Sequence, residues 1–242
     1  MSSERDRFWA ALQSLDASSL SASVRSALRR IWAETAQMEH ASIASFNRFS
    51  LQLLAVGAPP ELIEASQRAA LDEIEHARMA FALASRYGSE PLGPNALALP
   101  PDALGALDLA SVAASTVEEG CVGETLAALE AEAARNRAES PALRAAWSVI
   151  AEDEARHAEL AWSFVRWALD QGRPEVAEAV QGAFERAFSR VEASPLLESP
   201  LDAELEAHGR LSARSRRALA LRALEAVLRP AWAELSKPLP SG

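Results

Sequence analysis

A chain of 242 residues with 49% hydrophobic content can bury a sizeable core, as one domain or one domain with appendages. Its net charge of −10 argues against a general binder of nucleic acid or anionic membrane, and its single cysteine excludes an intrachain disulfide framework. Abundant Ala and Leu, with few β-branched and aromatic residues, predict an all-α fold.

The opening residues Met1 to Arg7 lead into no long apolar run, and no stretch approaches the roughly 18 apolar residues of a membrane span. The expectation is a cytoplasmic protein without a secretion signal. Residues 4–15 read as a short helix with Phe8, Trp9, Leu12 and Leu15 on one side, followed by a serine-rich break. A long helical pattern runs from about Val24 to Val56 and stops at Gly57-Ala58-Pro59-Pro60. There glycine suits the position after a helix, and proline suits the first turn of the next.

That next helix is predicted over Pro60–Tyr87. Residues 88–106 hold three glycines and four prolines and read as a long connection, too long for a simple hairpin and suited to a crossover along a bundle. A third helix is expected over Leu107–Arg137, a fourth from Ser140-Pro141 to near Gly172, and a fifth from Pro174 to Ala193. The tail reads as a short segment at 201–208 and a helix over Ser212–Leu235 that Pro230 should kink or end early.

Two stretches in this pattern match: Asp72-Glu73-Ile74-Glu75-His76 and Asp153-Glu154-Ala155-Arg156-His157. Each holds Glu-x-x-His after an aspartate, and the copies lie 81 residues apart, as do Pro60 and Pro141. On a helix, residues three apart face the same way, so each motif presents one carboxylate and one imidazole together. Two such helices, with a glutamate from each of two partners, can hold a pair of first-row metal ions.

Hairpin geometry locates the partners. Glu73 and His76 lie about 16 residues past the turn at 57–60, which puts the partner near position 40 and selects Glu39 over Glu34. In the second hairpin Glu118, Glu119 and Glu124 all qualify on height. The repeat favours Glu119, 80 residues after Glu39; Glu124 is the rival, but five residues on it could share that role only if the helix were distorted.

Glu39, Glu73-x-x-His76, Glu119 and Glu154-x-x-His157, with the long central connection, resemble the ferritin-like di-iron carboxylate superfamily over roughly residues 24 to 170. The resemblance implies a four-helix bundle at 21–172 with a crossover between its second and third helices, an N-terminal helix within 1–20 and a C-terminal helical extension at 173–242. It implies two iron ions, with manganese an alternative at either position. Glu39, Glu73 and His76 would serve mainly one ion and Glu119, Glu154 and His157 the other, with Glu73 and Glu154 bridging. Asp72 and Asp153 would orient the histidines, and Arg156 stands where related oxygenases often carry arginine. The first motif departs from that pattern, with Glu75 in the arginine's place.

The superfamily's chemistry ranges from hydroxylation and desaturation to peroxide reduction and iron oxidation. No tyrosine follows His76 closely, which disfavours radical generation; one cysteine and Val122 disfavour a rubrerythrin-type peroxidase; Ile74 replaces the haem-binding methionine of bacterioferritins. Gly120, Gly123 and the small residues Ala41, Ser42, Ala44 and Ser45 leave room beside the carboxylates, or pack helices closely. The expected activity is a dioxygen-dependent oxidase or oxygenase acting on a small organic substrate, supplied by an external electron donor. The alternatives are a ferroxidase or iron-handling relative and a tRNA-modifying hydroxylase. The last would need the tail arginines, Arg210 to Arg229, to form a basic face; that tail reads first as solvated surface or a homodimer contact.

Overall fold

A computed structural model describes residues 3–196 and 198–237. It is helical throughout, with no strand among the described residues. Helix α1 (Glu4–Leu12) opens with a capping box between Ser3 and Asp6, and α2 (Ala22–Val56) with the Ser21 hydroxyl accepting from the Val24 N–H. Gly57, at φ 72°, ends α2 in the left-handed conformation that glycine adopts without a Cβ penalty. Then α3 (Pro60–Arg86) runs back along α2, and residues 88–106 form a connection without helix. Part of it is tied down by Gln52, whose side-chain amide donates to the Leu104 and Ala106 carbonyls at 2.9 and 3.1 Å.

The third long helix is not uniform. It begins as α4 (Leu109–Thr116), widens into a π-helical segment over Val117–Glu124, and resumes as α5 (Thr125–Arg137). Helix α6 (Pro141–Asp170) packs along α5 and the π segment and also against α3 and α1. After Gly172 come α7 (Pro174–Ala193), α8 (Asp202–Ala207), α9 (Ala213–Ala223) and α10 (Arg229–Leu235). Pro230 was expected to break the last helix. Instead the chain widens into a second π segment over Leu224–Leu228 just before it, which accommodates the missing N–H, and helix continues to Leu235.

The core is divided by a polar layer. On one side pack Leu28, Trp32 and Ala36 of α2, Met79 and Leu83 of α3, Ala131 and Ala134 of α5, and Leu143 and Ile150 of α6. On the other pack Val117 and Cys121 of the π segment, Phe164 and Val165 of α6, and Val180 and Phe184 of α7. Between them, on α2, α3, the end of the π segment and α6, fall Glu39, Glu73, His76, Glu124, Glu154 and His157. Apolar packing on both sides fixes the helices that carry these charged groups, whose burial alone is costly. No helix is long and apolar enough to cross a membrane among the described residues.

Candidate metal centre

Glu73, His76, Glu154 and His157 are all buried, at 5% exposure or less, and the Glu39 side chain is 15% exposed. Carboxylate or imidazole atoms of Glu39, Glu73, His76 and Glu154 lie within 4.8 Å of one another, as do those of Glu124, Glu154 and His157. Both imidazoles turn Nδ1 inward. His76 Nδ1 is 3.7 Å from Glu73 Oε2, 3.7 Å from Glu154 Oε1 and 3.9 Å from Glu39 Oε2. His157 Nδ1 is 3.4 Å from Glu73 Oε1 and 3.1 Å from Glu154 Oε2. Glu73 and Glu154 therefore each offer one oxygen to each histidine, while Glu39 stands on the His76 side and Glu124 on the His157 side.

The structure brings Glu124, not Glu119, into this cluster. Glu119 is 60% exposed and pairs with Arg48 of α2 at 2.6 Å; Glu118 pairs with Arg186 and Arg190 of α7 at 3.0 and 2.8 Å. The cause is the π segment. Its i→i+5 pattern adds a residue per turn, so the face extrapolated from a regular α-helix no longer points inward. Thr125 helps to end the segment, its hydroxyl donating to the Cys121 carbonyl at 2.7 Å and accepting from Trp162 Nε1 at 3.2 Å. Trp162, which also stacks on Phe184, is a packing residue rather than a lining one. Gly120 is needed for close approach: a Cβ there would fall 2.4 Å from that of Ala161. It also lines the adjoining cavity, so both readings of the small residues hold at this position.

On the outward side the aspartates are exchanged between motifs. His76 Nε2 lies 3.0 Å from Asp153, the aspartate of the other motif. Asp72 Oδ2 approaches His157 Nε2 at 3.6 Å, outside hydrogen-bond reach. Two arginines clamp the pair. Arg156 binds Asp72 at 2.9 Å and also pairs with Asp153; Arg5 of α1 binds Asp72 at 2.7 Å and Asp153 at 3.1 Å. Arg5 had no signature in the sequence. It provides the second cation where the first motif has Glu75, and Glu75 instead accepts a hydrogen bond from Trp9 Nε1 at 3.0 Å, helping to seat α1.

Crowding of carboxylates governs the protonation states. Burial, and then the charge of neighbouring carboxylates, pushes Glu39 and Glu124 well above the usual range; Glu39 lies against Glu73 and Glu124 against Glu154. Burial opposes charge on the histidines, but the surrounding carboxylates prevail and raise His76 well above its ordinary value and His157 to about 9. Against its own burial, Glu154 is held below the carboxylate range by hydrogen bonds from His157 and Glu124. Asp72 and Asp153 are likewise depressed in spite of burial, by the histidine and arginine partners.

Glu73 Oε2 and His76 Nδ1 are buried without a hydrogen-bond partner. Two buried polar atoms 3.7 Å apart without a hydrogen bond are costly amid four carboxylates, and a cation bound here could satisfy them. Donors that hold one first-row ion at about 2.1 Å stand roughly 3 to 4 Å apart, the spacing found here. The donor set, carboxylate oxygen and imidazole nitrogen without thiolate, could hold a divalent metal ion.

Three cavities reach residues of the cluster, one of them, of about 300 Å³ beside Asp72 and Arg156, touching only His157. A second, of about 310 Å³, is lined by Phe46, Phe49, Gly120, Leu160 and Arg48 and reaches Glu124 and His157. The third, of about 540 Å³, lies among α2, α5, α6 and the tail and reaches Glu39 and Glu154. The family models, the curated proteins and the solved structures compared with this chain give no match.

Proposed function

We propose that the protein is a dimetal carboxylate oxidase or oxygenase of ferritin-like architecture, using dioxygen on a small organic substrate. The observation that carries this reading is the pair of bridging-type carboxylates, Glu73 and Glu154, each offering one oxygen to each inward-facing Nδ1. Glu39, Glu73 and His76 would hold one ion and Glu124, Glu154 and His157 the other. Two iron ions so held would supply the two electrons with which dioxygen is reduced.

The protein's own groups do the rest. Asp153 accepts from His76 Nε2 and so keeps its Nδ1 free to face inward. The Arg5–Arg156 clamp neutralises the aspartates and closes that side of the layer. The apolar clusters above and below limit water, and the cavity walls of Phe46, Phe49 and Leu160 can bind an organic molecule beside Glu124 and His157. Electrons would come from an external reductase. The tail arginines favour neither tRNA nor another polyanion: Arg214 pairs with Glu198, Arg216 with Glu130, and Arg229 with Glu192 and Glu225.

The test is metal content and dioxygen consumption of protein purified from iron-supplemented cells. About two iron ions per chain, with oxygen uptake sustained by an added chemical reductant and no ferric mineral formed, supports an oxidase or oxygenase. Oxygen uptake proportional to added ferrous iron, with a mineral product, would make it an iron-handling protein. Absence of bound metal under all loading conditions would sink the reading.

A further inference from the structure

The larger cavity is lined by a cation with no ion-pair partner among the described residues. Arg210 follows the turn at Gly209 and lies over the rings of both Trp32 and Trp147, its Cζ 5.3 and 5.6 Å from their centroids. The residue is half-buried, its guanidinium makes no hydrogen bond or ion pair among the described residues, and it lines the cavity. Its acidic neighbours are otherwise engaged: Glu130 pairs with Arg216 at 3.6 Å, Glu34 pairs with Arg30 at 2.8 Å, and Glu39 belongs to the metal cluster. The indole N–H groups of Trp32 and Trp147, both buried, also find no acceptor. Arg210 and Trp147 thus bring two donor groups without partners among the described residues to the wall of one cavity. Desolvation and the neighbouring Arg216 lower the guanidinium to about 10, still charged at neutral pH.

Helix geometry sets the distance to the cluster. Trp32 is seven residues from Glu39 on α2, and Trp147 is seven residues from Glu154 on α6. Seven residues are two turns, so the cation sits about 10 Å along the bundle from the two carboxylates. Both carboxylates line the same cavity as Arg210, and apolar side chains, Ile31, Ile150, Leu205 and Leu211, lie between and around them. Arg30, Arg216, Glu34, Glu130 and Asp202 also line it; Arg30 is held by Glu34 and Arg216 by Glu130, which leaves Asp202 to repel a dianion such as a phosphate ester and one guanidinium, without an ion pair among the described residues, to match a monoanion.

We propose that this cavity binds a small organic monocarboxylate, its carboxylate on Arg210 and its apolar body directed toward Glu39 and Glu154. The assignment rests on the dimetal reading for its second half, since the far end of the ligand is what the centre would act on. The anion site itself depends only on Arg210 and its surroundings.

Calorimetric titration with butyrate, hexanoate and octanoate, each paired with its uncharged primary amide, tests it on the full chain with and without metal. Hexanoate or octanoate is expected to bind at least tenfold more tightly than its amide. Arg210→Gln is expected to abolish that preference, and Arg214→Gln, at an exposed surface pair, to keep it. Equal binding of acid and amide to the unaltered protein, or no binding of any acid, overturns the proposal whether or not Arg210→Gln folds. In iron-loaded protein the bound carboxylate is expected to perturb the near-infrared ferrous bands, and to do so less after Arg210→Gln. Acid-selective binding in a protein that takes up no metal would remove the dimetal reading and leave the anion site. Full metal loading without acid-selective binding would do the reverse.

Discussion

His76 Nε2 and Asp153 Oδ2 lie 3.0 Å apart, although the two residues belong to different copies of the repeated motif. Each Asp-Glu-x-x-His therefore places its Glu and His in the layer and its aspartate beside the histidine of the other motif. The exchange is unequal, because Asp72 stays 3.6 Å from His157. Asp153→Asn keeps the shape of the side chain and removes the charge that sets the tautomer of His76. It is expected to lower metal affinity by about 10- to 100-fold, and Asp72→Asn by less. Competition titration against a chelator of known affinity measures both.

Glu124 and Glu119 give the sharpest contrast between neighbouring positions. Glu124→Gln is expected to lose the ion on the His157 side, seen as a fall toward one metal ion per chain. Glu119→Gln removes only an exposed pair with Arg48, so it should retain both ions and change thermal stability by about 0–1 kcal/mol. Loss of metal in Glu119→Gln with retention in Glu124→Gln would show that the segment adopts a regular α-helix once loaded.

This pair also shows where the sequence stops being legible. Glu39, Glu73, His76, Glu154 and His157 could be read because helix periodicity and hairpin height are local rules, and the duplicated prolines fix the register. The third-helix position stays open between Glu119 and Glu124 in the sequence, because a π segment changes the residues per turn; Glu124 qualifies on height only with the helix distortion that the structure has. Arg5 and Arg210 escaped for a different reason. Both lie outside the repeat, on segments placed by tertiary packing, so no spacing relates them to the motifs. Arg210 reads in the sequence as part of a basic tail, whereas the structure lays it over two tryptophans.

The N-terminal helix is expected to act as a clamp rather than an appendage. Arg5 and Arg156 together hold Asp72 and Asp153, so removal of one arginine leaves two crowded carboxylates with a single cation. Both arginines are substantially exposed, which limits each single loss, Arg5→Ala or Arg156→Ala, to about 1 kcal/mol. The double variant should cost more than the sum of the singles, because only it leaves the aspartates unneutralised. Denaturant unfolding of the metal-free protein as a double-mutant cycle gives the coupling directly; strict additivity would mean that the clamp is not a unit.

Proton linkage should distinguish the metal-free from the loaded protein. In the metal-free state Glu39 and Glu124 are raised, so the folded chain holds protons that the unfolded chain releases above the ordinary carboxylate range. Their contribution to stability falls as pH rises through that range toward the folded values. The histidines act in the same direction: their stabilisation is full below the unfolded value of about 6.5 and, for His157, is lost as pH rises through about 9. Asp72 and Asp153 are depressed and act oppositely, with stability present above the ordinary aspartate value of about 4 and lost as pH falls further. Metal-free protein should therefore be most stable under mildly acidic conditions and lose stability from about pH 6.5 to 9. Bound metal replaces those protons, so loading should release protons into weak buffer and cancel or reverse the alkaline loss. Melting curves at several pH values with and without metal test this. A metal-free protein whose stability is flat or rising across that window would mean that the buried carboxylates and imidazoles do not hold their protons in the folded state.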